Sequence, residues 1–151
     1  MTQSARTHQT LSRPIELFRF GGEGNLVALR LQQVDRGPDG RVEQFIGEIV
    51  VETSFVSGAT PIHLGVPGDL TAWQGMLDHL DAGHDVHWME DQKSPEVLIR
   101  WESDDRFEVT VRDRLASLTD VRTVVTANEK WFDTAYDLLD RAYELAERPT
   151  E

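Results

Sequence analysis

Short runs of apolar residues separated by turn-forming segments dominate this chain and predict a protein built largely from β-strands. In the clearest case, Phe107, Val109 and Val111 alternate with polar neighbours, as in a strand with one buried face. Turns rich in Gly and Pro at residues 21–25 and 36–40 separate the first strands. The predicted strands lie within residues 15–20, 25–34, 43–55, 61–66, 85–89, 95–101, 106–112 and 121–127.

Two other segments show the period of an α-helix. Pro67 is well placed to open the first helix, because the first helical residue needs no N–H. Gly83 is suited to end that helix. The apolar stripe between them consists of Leu70, Trp73, Leu77 and Leu80. Asn128 is the expected N-cap of a second helix. The core-facing residues of that helix are predicted to be Trp131 or Phe132, Ala135, Leu138, Leu139, Ala142 and Tyr143.

These elements predict a fold class. The order is four strands, a helix, four strands and a helix (ββββαββββα). Strands joined by hairpins pair antiparallel, and two amphipathic helices need a sheet face to cover. We therefore predict an α+β fold with an antiparallel, strongly curved sheet of about eight strands in two meanders. Residues 1–13 are polar and aperiodic and are predicted to be a flexible N-terminal tail. Residues 14–147 are predicted to form a single domain, and residues 148–151 a C-terminal tail.

The composition narrows the class of protein. The 151 residues include no cysteine, which excludes disulfides, thiolate metal sites and a cysteine nucleophile. No run of about 18 apolar residues is present to span a bilayer. The N-terminal residues also lack the apolar core of a signal peptide. We therefore expect a cytoplasmic protein.

The chain is strongly acidic, but its charge is uneven. The formal net charge of −12 divides into +2 for residues 1–41, −11 for residues 42–105 and −3 for residues 106–151. Residues 67–105 alone hold ten acidic and two basic side chains, a net charge of −8. Phosphate contacts need clustered Lys and Arg, so nucleic acid and acidic membrane surfaces are disfavoured as partners. A folded segment with this charge is suited to bind something basic.

The acidic segment supplies the candidate binding residues. Trp88 and Trp101 lie on predicted strands beside acidic turns, and an exposed Trp ringed by carboxylates would anchor a basic protein partner. The alternative is that all four Trp side chains belong to the core. The predicted partner-binding acidic face consists of Asp81, Asp85, Trp88, Glu90, Asp91, Asp104 and Asp105.

One histidine cluster has the chemistry of metal ligands. His79, His84 and His87 are interleaved with aspartates, and imidazole and carboxylate together suit zinc or a similar ion. The spacing is unfavourable, because His79 falls at a helix end and His84 and His87 would point to opposite faces of a strand. We predict no metal site and no cofactor.

Catalysis has equally little support. Ser54, Ser57 and His63 lie close in sequence, but the G-x-S-x-G pattern of a nucleophile elbow is missing. The adjacent carboxylates at 90–91 and 104–105 could act in acid–base chemistry, yet pairs of acids in hydrophilic turns are usually solvated. No catalytic residue is predicted.

Four segments of the chain carry a family resemblance. The segments SFVSG (54–58), PGDLTAWQGMLDHLDAGHDVHW (67–88), SPEVLIRW (94–101) and FEVTV (107–111) resemble a family of small actinobacterial proteins known only as a domain of unknown function. This resemblance implies no site residues. The order of strands, helix, acidic turn, hairpin strands and closing helix is also similar to certain bacterial immunity proteins, which bind and neutralise a cognate toxin.

The sequence therefore favours a non-enzymatic, cytoplasmic protein-binding module with an acidic face that engages a basic polypeptide, in an immunity-like or regulatory role. One alternative is a small ligand-binding or hydrolytic enzyme with a pocket on the concave face of the sheet. A second alternative is a structural subunit or homodimer joined through a sheet edge.

Overall fold

The computed structural model describes residues 7–89 and 95–148. Within these residues, four strands precede each of two helices, which confirms the predicted order ββββαββββα and the α+β class. The elements are β1 (Thr7–Gly22), β2 (Asn25–Arg36), β3 (Val42–Thr53), β4 (Ser57–Gly65), α1 (Gly68–Asp81), β5 (Val86–Trp88), β6 (Glu96–Ser103), β7 (Arg106–Asp113), β8 (Thr119–Thr126) and α2 (Trp131–Glu147).

The strands form two antiparallel meanders that are separate sheets. The first sheet has the order β1-β2-β3-β4, and the second has the order β5-β6-β7-β8. We expected one strongly curved sheet, and its strong curvature is not confirmed. The chain leaves β4 directly into α1, so β5 begins beside the helix and pairs with β6 instead of with the first sheet.

The first strand starts earlier than its sequence indicates. Residues 7–13 were expected to belong to a flexible tail, yet β1 begins at Thr7, and its first four residues pair with residues 33–36 of β2. That expectation is wrong for these residues, because an edge strand needs only backbone hydrogen bonds and can carry polar side chains throughout. Residues 1–6 and 149–151 lie outside the described part of the chain.

Helix α1 seats its apolar stripe in the core as predicted. Leu70, Trp73, Leu77 and Leu80 are all completely buried. The helix begins at Gly68, one residue after Pro67, without a side-chain cap on its own N–H groups. Asp69 in its first turn instead accepts a hydrogen bond from the backbone N–H of Gly65 at 2.7 Å. Gly83 follows the helix with φ +92°, a conformation that favours glycine at a helix end.

Helix α2, the last element of the chain, packs on the first sheet. Asn128, the predicted N-cap, lies in the turn before the helix, where its side chain accepts a hydrogen bond from the N–H of Lys130 at 2.9 Å. Lys130 occupies the cap position itself. The buried residues of α2 are Trp131, Ala135, Leu139, Ala142 and Ala146. No helix in the described residues has the length and apolar character needed to cross a membrane.

Aromatic rings fill the centre of the molecule, where both sheets meet both helices. Phe18 of β1 lies against Trp73 of α1, with ring centroids 5.1 Å apart, and Trp73 lies 5.0 Å from Trp88 of β5. Phe20 of β1 stacks on Trp131 of α2 at 4.6 Å. This shared cluster holds the two sheets together through the helices, because aromatic pairs add geometric specificity to their large buried area.

Candidate acidic binding surface

The structure separates the seven predicted binding residues into three groups. Asp81, Asp85, Asp104 and Asp105 are exposed. Glu90 and Asp91 lie outside the described residues. Trp88 was expected to anchor the partner, and this is wrong, because its side chain is only 1% exposed within the aromatic cluster.

Trp101, and not Trp88, is the partly exposed tryptophan beside the acidic turns. Its ring is half-buried and packs on Phe107, with centroids 4.5 Å apart. Its Nε1 donates a hydrogen bond to the carbonyl of Leu80 at 3.1 Å, and its backbone N–H donates to Asp85 Oδ1 at 2.9 Å. Trp101, a residue of β6, is therefore fixed against the end of α1, with part of the indole open to solvent.

Trp101 lies in an open cleft of about 500 Å³, called here the Trp101 cleft. One wall is the end of α1, and the other is the hairpin that joins β6 to β7. The lining residues are Asp81, Ala82, Gly83, Trp101, Glu102, Ser103 and Asp104. The last carbonyl groups of α1 give this wall a partial negative charge in addition to the side chains.

The acids of the cleft differ in their partners. Glu102 forms an ion pair with Arg106, with 3.1 Å between Oε1 and Nη2. Asp81 and Asp104 form no ion pair with any described residue. The cleft therefore combines an aromatic surface, a helix C-terminus and two carboxylates without ion-pair partners among the described residues, an arrangement that attracts a cation.

Asp78, on the same helix, has a structural role. Its Oδ1 accepts a hydrogen bond from the hydroxyl of Tyr136 at 2.7 Å, which links α1 to α2. Partial burial raises the pKa of Tyr136 above its ordinary value, and the hydrogen bond to Asp78 and the charges of Asp78 and Asp81 raise it further. Asp78 therefore connects the two helices.

The three weak metal candidates do not converge. His79 and His84 are exposed, with ring centroids 6.1 Å apart, while the Nε2 of His87 lies 2.9 Å from Glu96 Oε2. Within residues 7–89 and 95–148, no group of three or more His, Asp and Glu side chains is arranged to hold a metal ion.

Sequence reasoning missed a buried carboxylate. Glu96 opens β6 and is 1% exposed. Its oxygens lie 2.9 Å from His87 Nε2, 3.1 Å from Arg114 Nε and 4.0 Å from Arg112 Nη1. The only sequence signal is an acid at the start of an apolar strand. With both oxygens engaged and the side chain buried, Glu96 joins β5, β6 and the end of β7 and has a structural role.

A second, apolar cleft of about 200 Å³ lies between the two sheets. Its apolar lining consists of Ile49, Val51, Val56, Ala59, Val111 and Val121. Phe55 and Leu118, next to its lining residues, are 94% and 78% exposed. Such large exposed apolar side chains around a cleft are typical of a contact surface.

This apolar cleft offers little catalytic chemistry. Its one carboxylate, Asp113, accepts hydrogen bonds from the hydroxyl and N–H of Ser117 and from the N–H groups of Leu115 and Ala116. These bonds, chiefly those of Ser117, lower the pKa of Asp113 to about 2, so it is a weak base. Ser57 and His63 lie six residues apart in β4, about 20 Å at the rise of a strand, so they form no nucleophile–base pair.

Comparison with protein families gives a match over most of the chain. The model of a family described as a family of unknown function, DUF5959, matches residues 15–147. This span includes every strand and helix described above, apart from the first eight residues of β1. No curated protein and no solved structure matches the chain.

Proposed function

We propose that this chain, which belongs to the family of unknown function DUF5959, is a non-enzymatic binding protein whose acidic surface receives a basic polypeptide. One observation carries the proposal. In the Trp101 cleft, a fixed and half-exposed indole lies between Asp81 and Asp104, two acids without ion-pair partners in the described residues.

A Lys or Arg side chain fits the chemistry of this cleft. Its aliphatic stem would lie against the indole of Trp101 while its charged end meets the carboxylates. A cation over an indole face contributes about 0.5–2 kcal/mol, with the larger values where water is excluded. Because the Trp101 ring is held by its own hydrogen bond to Leu80, little side-chain entropy would be lost on binding.

The biological role and the location of the protein are proposed from the sequence alone. An immunity-like or regulatory role follows from the similarity in element order to proteins that neutralise toxins. A cytoplasmic location suits a chain without cysteine, since cysteine-free sequences need no oxidising compartment to fold.

The test is a charge reversal with a matched control. The cleft variant Asp81→Lys/Asp104→Lys is compared with Glu52→Lys/Glu144→Lys, which makes the same change in net charge at exposed positions outside the cleft. The probe is a fluorescent octalysine peptide, and anisotropy measures its affinity at two salt concentrations. We expect the cleft variant to lose at least about tenfold in affinity and the control to lose about twofold.

Two outcomes would contradict the proposal. Equal losses in both variants would mean that the peptide responds to the overall charge of −12 and not to the cleft. Undiminished binding by the cleft variant would exclude the cleft as the site. Circular dichroism spectra that match wild type would show that neither substitution has disturbed the fold.

A second candidate function is self-association through the apolar cleft between the sheets. The observation that favours it is the exposure of Phe55 and Leu118 beside this cleft. Sedimentation velocity tests it with Phe55→Ser and with Leu118→Asn, the latter chosen because Leu118 has φ +53° and asparagine tolerates that conformation. A sedimentation coefficient that is concentration-independent in the wild type would exclude this function.

A further inference from the structure

We propose a second binding site, of opposite charge, that takes a small organic phosphate in a cleft between β1 and α2. The cleft has a volume of about 630 Å³, within the usual range for small-molecule sites. Three arginines line it, Arg13, Arg30 and Arg141, in a protein whose net charge is −12.

An irregularity in β1 creates the cleft. The pairing of β1 with β2 shifts register between Thr10, opposite Gln33, and Ile15, opposite Leu31. Residues 11–14 therefore face a single residue of β2 and bulge out of the ladder. Bulges of this kind often re-aim a side chain next to a functional site. Here the bulge brings Arg13 into the same cleft as Arg141 of α2.

The charges in the cleft do not cancel. Its one acid, Glu16, already accepts a hydrogen bond from Arg19 Nη1 at 2.9 Å and lies 3.6 Å from Arg30 Nε. Arg13 and Arg141 form no ion pair with any described residue. The sum of three guanidinium groups and one carboxylate is two positive charges, which match the charge of about −1.5 to −2 on a phosphate monoester at neutral pH.

The side chains also fit the shape of such a ligand. Guanidinium groups bind phosphate oxygens through paired N–H donors in a fixed geometry. Pro14 and Ile15 from the bulge and Leu138 from α2 supply an apolar wall beside them. An inorganic phosphate would leave this wall unused, so the site is suited to a phosphate that carries an apolar organic group.

The experiment uses phenyl phosphate as the probe, with inorganic phosphate, benzoate and phenol for comparison. Affinity is measured by NMR titration, which also reports the methyl signals of Ile15 and Leu138. We expect saturable shifts at both residues with phenyl phosphate, binding at least about tenfold weaker for inorganic phosphate and benzoate, and no saturation with phenol.

Variants then test the arginines. Arg13→Gln/Arg141→Gln should weaken phenyl phosphate binding at least about tenfold, whereas the control Arg41→Gln/Arg122→Gln, which removes the same charge from exposed positions elsewhere, should change it less than about twofold. Equal effects of the two variants would overturn the proposal. So would benzoate binding as tightly as phenyl phosphate, or shifts that do not include Ile15 and Leu138. Spectra of the free variants that superimpose on wild type away from the substitutions establish that each is folded.

Discussion

Replacing Trp73 with alanine would remove the ring around which α1 packs. The Trp73 side chain is completely buried, and its centroid lies 5.1 Å from that of Phe18 and 5.0 Å from that of Trp88. Truncation of a buried Trp to Ala costs about 3–5 kcal/mol, because apolar contacts are lost and a cavity remains. Domains are stable by only about 5–15 kcal/mol, so we expect a severe loss of stability.

Urea unfolding followed by circular dichroism measures this loss. The midpoint should fall while the slope with urea concentration stays near the wild-type value, because a similar surface is exposed on unfolding. In a thermal melt, a domain of this size loses about 2–4 °C per kcal/mol, so Trp73→Ala should melt roughly 6–20 °C lower. An unaltered melting temperature would refute the inference that the apolar stripe holds α1 against the sheets.

Two further variants separate packing from other effects. The Nε1 of Trp73 is buried without a hydrogen-bond partner among the described residues, an arrangement that costs about 1–3 kcal/mol. Trp73→Phe removes this unpaired donor and keeps most of the ring, so we expect it to cost less than about 1.5 kcal/mol. Asp81→Ala, on the exposed side of α1, should cost less than about 0.5 kcal/mol. Phenylalanine as damaging as alanine would contradict the packing argument.

Three other predictions follow from polar contacts. Asp78→Asn should lower the pKa of Tyr136 towards its ordinary value, because a negative charge is lost while burial remains, as measured by ultraviolet titration in a Tyr143→Phe background. Glu96→Ala should lower the free energy of unfolding in urea by about 1–3 kcal/mol, because the contacts of this buried carboxylate are lost, while its partners His87 and Arg114 are partly exposed and can be hydrated. The native pKa of Asp113, about 2, lies below its ordinary value of 3.8. The stability that the ionised carboxylate gives the fold is therefore complete above about pH 3.8 and is lost as the pH falls through about 2. The amide NMR signals of residues 115–117 should move only in that range.

The order of elements and the inner face of α1 could be predicted because they depend on local periodicity. Leu70, Trp73, Leu77 and Leu80 recur at the helical period, and all four are buried. The division of the strands into two sheets could not be predicted in the same way. It depends on whether β4 and β5 pair across α1, and no local pattern reports a pairing between distant strands.

The two tryptophans beside the acidic turns show a similar limit. Trp88 shares its strand face with Val86, and Trp101 shares its face with Val97 and Ile99, so alternation predicts both rings to point inward. The two rings differ in how far helix α1 extends over them. Trp88 lies beneath α1, whereas Trp101 lies at the end of that helix and is only partly covered. Burial at the edge of a layer depends on tertiary packing, so the sequence could not show which of the two rings is partly exposed, and the choice of Trp88 was wrong.

The net charges of successive sequence segments predict the Trp101 cleft but not the arginine-lined cleft between β1 and α2. The acidic excess of residues 67–105 is local, and the Trp101 cleft draws all its acids from that segment, so segment counting places the negative surface correctly. In the cleft between β1 and α2, Arg13 and Arg30 come from the basic segment of residues 1–41. The third arginine, Arg141, comes from residues 106–151, which have a net charge of −3. Only the packing of α2 beside the bulge brings the three together. Because ions respond to local potential and not to the net charge of the chain, a protein of net charge −12 can carry both a cation-binding and an anion-binding surface.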